Sequence, residues 1–264
     1  MRKIVFFDID GTLIDAMDGK FDMSDKVKEA IHRLQTEGNY VFIATGRPYA
    51  YLSEAIKGFG FDGMIAANGA QIMLKGETIF TAEMDKEFIH RIVEGFEANG
   101  IQYVLECEDY SYVKPEYVEF YDFFKEINIS SKWIKGSYNL DDLRVLKVET
   151  ICADEEAANY CETLLKSHPE YDCFSSVAGK VYELYQKKYT KASAILRVLK
   201  HLDLPLEASF AFGDGVNDTE MLQAVGCGVA MDNASDYVKS YADQVTDSVH
   251  EDGVATGIMK YILC

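Results

Sequence analysis

The chain is poor in positive charge: 26 Lys and Arg face 44 Asp and Glu among 264 residues, a formal net charge of −18. Such a chain repels phosphodiester backbones and anionic lipid surfaces, and no run of Lys or Arg compensates, so nonspecific binding to nucleic acid or membrane is excluded. Any phosphate-bearing partner must be attracted locally. The six cysteines (Cys107, Cys152, Cys161, Cys173, Cys227 and Cys264) include no C-x-x-C pair. They sit mostly among apolar neighbours and read as reduced packing residues, with no zinc or disulfide framework. The histidines, His32, His90, His168, His201 and His250, are scattered without ligand spacing and none is assigned to chemistry. Long apolar runs are missing too. Met1-Arg2-Lys3 leads into an apolar stretch that Asp8 and Asp10 break at once, so the expectation is a cytoplasmic protein with neither a signal peptide nor a membrane span. There is no internal repeat and no low-complexity tract.

What is present is enough to build a core. Hydrophobic residues make up 48% and aromatics 12%, in a length suited to one large or two moderate domains. Short apolar runs at 3–7, 41–44 and 64–67 read as strands buried on both faces of a parallel sheet. Ser24 is a plausible N-cap for a helix in which Val27, Ile31 and Leu34 share a face, with Gly38 as its stop. A further helix runs through Ile56, and a hairpin at 71–74 and 77–80 turns at Lys75-Gly76. Between about 84 and 189 the texture changes. Helices at 85–98, 116–126 and 154–167 do not alternate strictly with strands at 101–106, 111–113, 144–152, 171–176 and 180–186, which predicts an α+β insert on its own sheet. From Thr190 alternation resumes, with a helix at 191–201, a strand at 209–213, a helix at 218–225, a strand at 227–231 and two more helical stretches. The fold class is therefore α/β: a doubly wound, Rossmann-like parallel-sheet core formed by 1–82 and 190–264, interrupted by a cap domain at 83–189.

In an open parallel sheet, ligands bind beyond the carboxyl ends of the strands. Four such ends carry polar clusters: Asp8-Ile9-Asp10-Gly11-Thr12, Thr45-Gly46-Arg47, Asn68-Gly69, and Asp214-Gly215-Val216-Asn217-Asp218. Taken alone, the first is an ordinary polar turn; the coincidence of four argues for a single site. A calcium loop of the EF-hand type is excluded, because its twelfth position, counted from Asp8, is Gly19 and a strand precedes it. Asp8 and Asp10 are two apart, so both side chains leave the same side of an extended strand. With Asp214 and Asp218 they bring four acidic groups to one crevice, where mutual repulsion demands a cation. Oxygen ligands without His or Cys favour Mg²⁺ over zinc or copper. Thr12, Thr45, Asn68 and Lys191 supply the hydroxyl, amide and ammonium donors that a phosphoryl group needs.

At these residues the sequence resembles the haloacid dehalogenase-like phosphatase superfamily. D-x-D-G-T after the first strand, T-G-R after the second, a Lys before a late helix and G-D-G-x-N-D after a late strand occur in family order as Asp8 to Thr12, Thr45 to Arg47, Lys191, and Gly213 to Asp218. The insert looks like the C2B cap of Cof-type hydrolases. The resemblance implies an Mg²⁺-dependent phosphatase of small phosphorylated metabolites, such as sugar phosphates or phosphorylated coenzymes. In it Asp8 would be the nucleophile that becomes an aspartyl-phosphate, and Asp10 the acid and base. Thr45 and Lys191 would hold the transferring phosphoryl oxygens. The ion would be bound by the Asp8 carboxylate, the Asp10 backbone carbonyl and Asp214, with Asn217 and Asp218 supporting; Thr12, Gly46, Arg47, Asn68 and Asn217 would line the substrate. The stretch from Glu183 to Ala192 departs from the family's usual E-I-x-P-x-G-V-x-K-G by lacking its Pro and both glycines.

Other readings stay open at this stage. Arg47 either touches substrate or caps the following helix, and Lys187-Lys188 reads as a solvated pair. The aromatics of the insert read as packing for its small sheet. A phosphomutase on sugar phosphates and a non-catalytic sensor of a phosphometabolite are the alternatives to a phosphatase.

Overall fold

The computed structural model describes residues 2–152, 154–176 and 181–263. Lys180, where the last strand of the insert was expected to begin, and Cys264 lie outside them. In chain order the elements are β1 (Ile4–Phe7), α1 (Asp25–Thr36), β2 (Tyr40–Ala44), α2 (Glu54–Gly58), β3 (Gly63–Ala66), β4 (Gln71–Leu74) and β5 (Glu77–Thr81). There follow α3 (Lys86–Ala98), β6 (Gln102–Glu106), β7 (Ser111–Val113), α4 (Val118–Glu126), β8 (Ile134–Lys135), β9 (Lys147–Ile151), α5 (Glu155–Lys166), β10 (Tyr171–Ser176) and β11 (Val181–Gln186). The chain closes with α6 (Lys191–His201), β12 (Ser209–Gly213), α7 (Thr219–Gln223), β13 (Cys227–Ala230), α8 (Asp236–Lys239), β14 (Gln244–Val245) and α9 (Gly253–Gly257).

These elements form two compact units. The first comprises Met1–Gly46, Glu54–Phe80 and Thr190–Cys264. Its sheet runs β14-β13-β12-β1-β2-β3-β4-β5, parallel from β14 to β3 and antiparallel at β3/β4. Every residue of β1 is buried, as a strand covered on both faces must be. On one face Ile4, Phe6, Phe42 and Ile65 meet Ile195 and Val198 of α6 and Met221 of α7. Helix α1 packs against α9 and turns Val27, Ile31 and Leu34 inward, after Ser24 accepts a hydrogen bond from the Val27 amide as N-cap.

The second unit comprises Arg47–Ser53 and Thr81–Tyr189. Its sheet runs β10-β11-β9-β6-β7-β8 and is antiparallel except at β7/β8. Residues from α3, α5 and the sheet, among them Phe96, Tyr103, Leu105, Val148 and Leu184, form its larger apolar cluster. A second cluster joins Val104 and Val113 to Phe120 and Phe124 of α4. Ala50 and Tyr51 belong to that second cluster, and this packing groups 47–53 with the insert although the sequence places the stretch directly after the second strand of the core. Two smaller differences have local causes. The helix expected through Ile56 is split into a 3₁₀ turn at Tyr49–Tyr51 and the short α2. The helix expected from residue 218 begins at Thr219, because Asp218 closes a 3₁₀ turn of its own.

Candidate active site

The carboxyl ends of β1, β2, β3 and β12 are where the polar clusters meet, all within the first unit. Asp8 follows β1 and is held by its amide, which donates to the Phe212 carbonyl at 3.0 Å. Lys191 is the first residue of α6. A cation there opposes the helix dipole, so its placement needs carboxylates. Two are supplied: Nζ donates to Asp8 Oδ1 and Asp218 Oδ1, each at 2.6 Å. Thr190 sets the start of α6 through a capping box with Ser193. Burial pulls the Lys191 pKa down, but Asp218 and Asp8 outweigh it and hold the ammonium above its ordinary range. Asp8 is pushed well above the usual carboxylate range, first by burial and then by Asp218, against the pull of Lys191.

Asp218 is fully engaged. Its Oδ2 accepts the amides of Asp214 at 3.0 Å and Gly215 at 2.9 Å, while Oδ1 takes Lys191. The residue therefore ties the G-D-G-V-N-D loop to the lysine. Asp214 Oδ1 accepts the Thr12 hydroxyl at 3.0 Å. Burial, followed by the charge of Asp218, pushes Asp214 up to about 7. Gly11 has φ +80°, and a Cβ there would fall 2.0 Å from Asp214 Oδ2, so only glycine lets this turn lie against the aspartate. Asp10 is exposed on the same turn and close enough for its charge to raise both Asp8 and Asp214.

Thr45 is buried after β2; its amide donates to the Ile65 carbonyl and its own carbonyl accepts the Asn68 amide at 3.1 Å. Ala67 and Asn68 take left-handed backbone, φ 48° and 55°, as the chain leaves β3. A Cβ on Gly46 would lie 2.9 Å from Asn68 Oδ1 and 3.6 Å from Asn217 Nδ2, so Thr45, Gly46, Asn68 and Asn217 converge. Asn68 Oδ1 is buried without a hydrogen-bond partner among the described residues. Arg47 belongs to the second unit, where Nη1 donates to the Tyr51 carbonyl at 3.1 Å. Asn233, which sequence reasoning missed, stands beside Gly11 and Asp214. Its Nδ2 donates to the Gly11 carbonyl at 2.8 Å and lies 3.4 Å from Asp214 Oδ2. The missed signal was Asp232-Asn233 just beyond β13, one more polar strand end.

Oxygens of Asp8, Asp214 and Asp218 lie within 4.8 Å of one another. The side chain of Asp10 is not part of that group. Three buried or half-buried carboxylates facing one ammonium leave negative charge over, and an all-oxygen donor set suits a hard divalent cation. A second group, Asp15, Asp18 and His250, is largely exposed, with His250 Nε2 3.2 Å from Asp15 Oδ2.

A sequence model for haloacid dehalogenase-like hydrolases matches residues 5–258. The chain belongs to this family. It is 30% identical over 268 residues to the 5-amino-6-(5-phospho-D-ribitylamino)uracil phosphatase YitU of Bacillus subtilis (strain 168), covering 98% of this chain and 97% of the relative. It is also 29% identical to the YcsE phosphatase of the same name and organism, covering 99% and 96%. Among solved structures, a protein of Geobacillus kaustophilus HTA426 superposes with a TM-score of 0.88 at 29% identity over 100% of both chains. The subclass IIB sugar phosphatase BT4131 superposes with a TM-score of 0.82 at 26% identity, over 99% of this chain and 100% of its own. This haloacid dehalogenase-like hydrolase thus shares the α/β core and inserted cap of its relatives along its full length. Among the described residues no helix is long and apolar enough to cross a membrane.

Proposed function

We propose that this hydrolase is an Mg²⁺-dependent phosphatase of small phosphorylated metabolites, sugar phosphates or phosphorylated coenzymes, working through an aspartyl-phosphate on Asp8. The observation that carries the reading is the buried lysine shared at 2.6 Å by Asp8 and Asp218, with Asp214 in the same carboxylate group. The names of its relatives, which act on a phosphorylated ribitylaminouracil or on sugar phosphates, support the substrate class.

An Asp8 oxygen attacks phosphorus, forming an O–P bond as the ester P–O bond breaks. Asp10, exposed and two residues on, gives its proton to the departing alkoxide. It then takes a proton from water, which attacks the same phosphorus, frees inorganic phosphate and restores Asp8. Thr45, Asn68 and Asn217, gathered around Gly46, hold the phosphoryl oxygens. Lys191 offsets charge on Asp8 and keeps its carboxylate oriented. Asp8 and Asp214, with the Asp10 carbonyl, would hold Mg²⁺, which supplies charge neutralisation between an anionic nucleophile and an anionic ester. Asp218, with both oxygens engaged, supports that set by fixing the loop that carries Asp214.

The test is phosphate release from a panel of sugar, coenzyme and nucleoside monophosphate esters with Mg²⁺. We expect turnover that EDTA stops and Mg²⁺ restores. Asp8→Asn should lower kcat by about a thousandfold or more while the far-ultraviolet circular dichroism is unchanged, since volume is kept while charge and nucleophilicity are lost. An isomeric product without free phosphate would point to phosphoryl transfer between positions of a sugar, and no turnover on any ester would defeat the enzymatic reading.

A further inference from the structure

Four of the cysteines pack in the larger apolar cluster of the second unit: Cys107, Cys152, Cys161 and, partly buried against it, Cys173. Burial in apolar surroundings makes a thiol inert, and it pushes Cys107 and Cys173 up to about 12. Cys152 and Cys161 differ because they touch. Cys152 follows β9 and Cys161 stands in α5, with their sulfurs 3.7 Å apart and the residues 2% and 0% exposed. The Thr150 hydroxyl, two residues back on the same face of the strand, stands 3.9 Å from the Cys152 sulfur. The Cys161 thiol first, and this hydroxyl second, hold the Cys152 thiol below its ordinary range against the effect of burial. Cys161, as the donor, is driven above that range. One sulfur is thus prepared as a thiolate while its neighbour is kept as a thiol.

The helix that carries Cys161 is lightly anchored. Only Ala157 and Cys161 of α5 are buried, whereas α3 buries Phe88, Ile89, Ile92, Val93 and Phe96 in the same cluster. A helix with so few buried contacts lifts locally at low cost, which admits a molecule as small as hydrogen peroxide. The sulfurs must approach by about 1.7 Å to bond, a movement that side-chain rotation supplies while the helix is lifted.

We propose that Cys152 and Cys161 form an oxidisable pair for hydroperoxides, with Cys152 as the attacking thiolate and Cys161 as the resolving thiol. The site is independent of the phosphatase reading. The Cys152 thiolate attacks one peroxide oxygen; the O–O bond breaks, a sulfenic acid forms on Cys152, and the departing hydroxide takes up the proton the thiol had released. The Cys161 sulfur then attacks the sulfenic sulfur, so that the S–S bond forms as the S–O bond breaks and the hydroxyl leaves with the Cys161 proton as water. Two thiols are oxidised, and one hydrogen peroxide is reduced to two waters. The product ties α5 to the end of β9.

Hydrogen peroxide on the intact, reduced chain, followed by alkylation and peptide mapping, tests the pair. Residues 148–166 contain no Lys or Arg before Lys166, so trypsin releases both cysteines in one peptide. That peptide should emerge unalkylated and lighter by two hydrogens, and dithiothreitol should restore both thiols. Cleavage after Glu155 and Glu156 should leave its ends joined until reduction. In the folded chain Cys152 should react about tenfold faster than Cys107, which lies in the same cluster, and the two rates should converge in guanidinium chloride. Cys161→Ala should halt the reaction at the sulfenic acid, which dimedone traps on Cys152, while Cys152→Ala should leave Cys161 open to alkylation. The pair is overturned if both thiols survive peroxide, if Cys152 and Cys107 react equally fast in the folded chain, if the bond formed joins Cys173, or if dimedone marks Cys161 instead. Mapping of the parent chain decides the first three outcomes whatever either variant does to folding.

Discussion

Two buried lysines divide the chemistry of this chain. Lys191, in the core, donates to Asp8 and Asp218, and both oxygens of Asp218 are engaged. Lys147, in the cap, donates to Glu183 and stands 3.3 Å from Glu106, whose oxygens have no further partner among the described residues. The first arrangement is closed, as a reaction centre must be if its groups are to be oriented before substrate arrives. The second is buried as deeply but leaves acceptors unmatched among the described residues. The same elements, one ammonium among several carboxylates, thus differ between the two units in how completely their hydrogen bonds are made.

The largest effect should come from removing each lysine in turn. Lys191→Met leaves Asp8 and Asp218 buried and unpaired, and breaking a buried pair costs about 3–5 kcal/mol. Lys147→Met should cost a similar amount, because Glu106 and Glu183 lose the ammonium paired with them and Glu149 loses its largest opposing charge. The kinetics should separate where the stabilities agree: Lys191→Met should lower kcat about a hundredfold or more on every ester, while Lys147→Met, a change within the cap's own charge set, should leave kcat close to that of the parent. Melting curves and initial rates on two esters decide it. A kcat loss from Lys147→Met on both esters would erase the distinction.

Legibility followed the same divide. Apart from Lys191, which opens α6, the core residues lie in short runs at strand ends, where strands bring distant motifs together and glycines such as Gly11 announce close approach. The convergence of Asp8, Asp214, Asp218 and Lys191 was therefore legible in the order of the motifs and in the family resemblance they carry. The cap residues occupy alternate positions of four strands, Glu106, Ser111, Lys147 with Glu149, and Glu183, so no short motif contains two strands' worth of them. Their convergence depends on strand register, which a sequence pattern specifies only when one face is plainly apolar. Arg47 fell between the cases. It stands within a core motif, but Ala50 and Tyr51 three and four residues later carry apolar surface that binds the segment into the cap.

A smaller effect, on pH dependence, sharpens the contrast. Asp214 and Glu149 each titrate near 7 in the folded chain, from ordinary values of 3.8 and 4.5, with burial as the first cause in both. A carboxyl raised by folding contributes stability that is complete below its unfolded value and is lost as pH rises through the folded one. The metal-free protein should therefore melt lower at about pH 8 than at about pH 6, by about 2–6 °C. Mg²⁺ favours the deprotonated Asp214 and should remove the core's share of that slope; Glu149→Gln should remove the cap's. If Mg²⁺ leaves the slope untouched, Asp214 is not a ligand.

The smallest effect probes how far the closed character of the core extends. Asn233 gives one hydrogen bond to the Gly11 carbonyl at 2.8 Å and receives one from the Val249 amide at 2.9 Å, bracing the turn that carries Asp10 and Thr12. Because Asn233 is exposed, Asn233→Ala should cost only about 1 kcal/mol of stability. Its kinetic effect should nevertheless appear in kcat, lowered about three- to tenfold, since the braced turn holds the proton-transfer group rather than the ester. Initial rates across a range of ester concentrations separate the two constants. A rise in KM with kcat unchanged would make Asn233 a substrate contact, and the braced, closed part of the reaction centre would then end short of it.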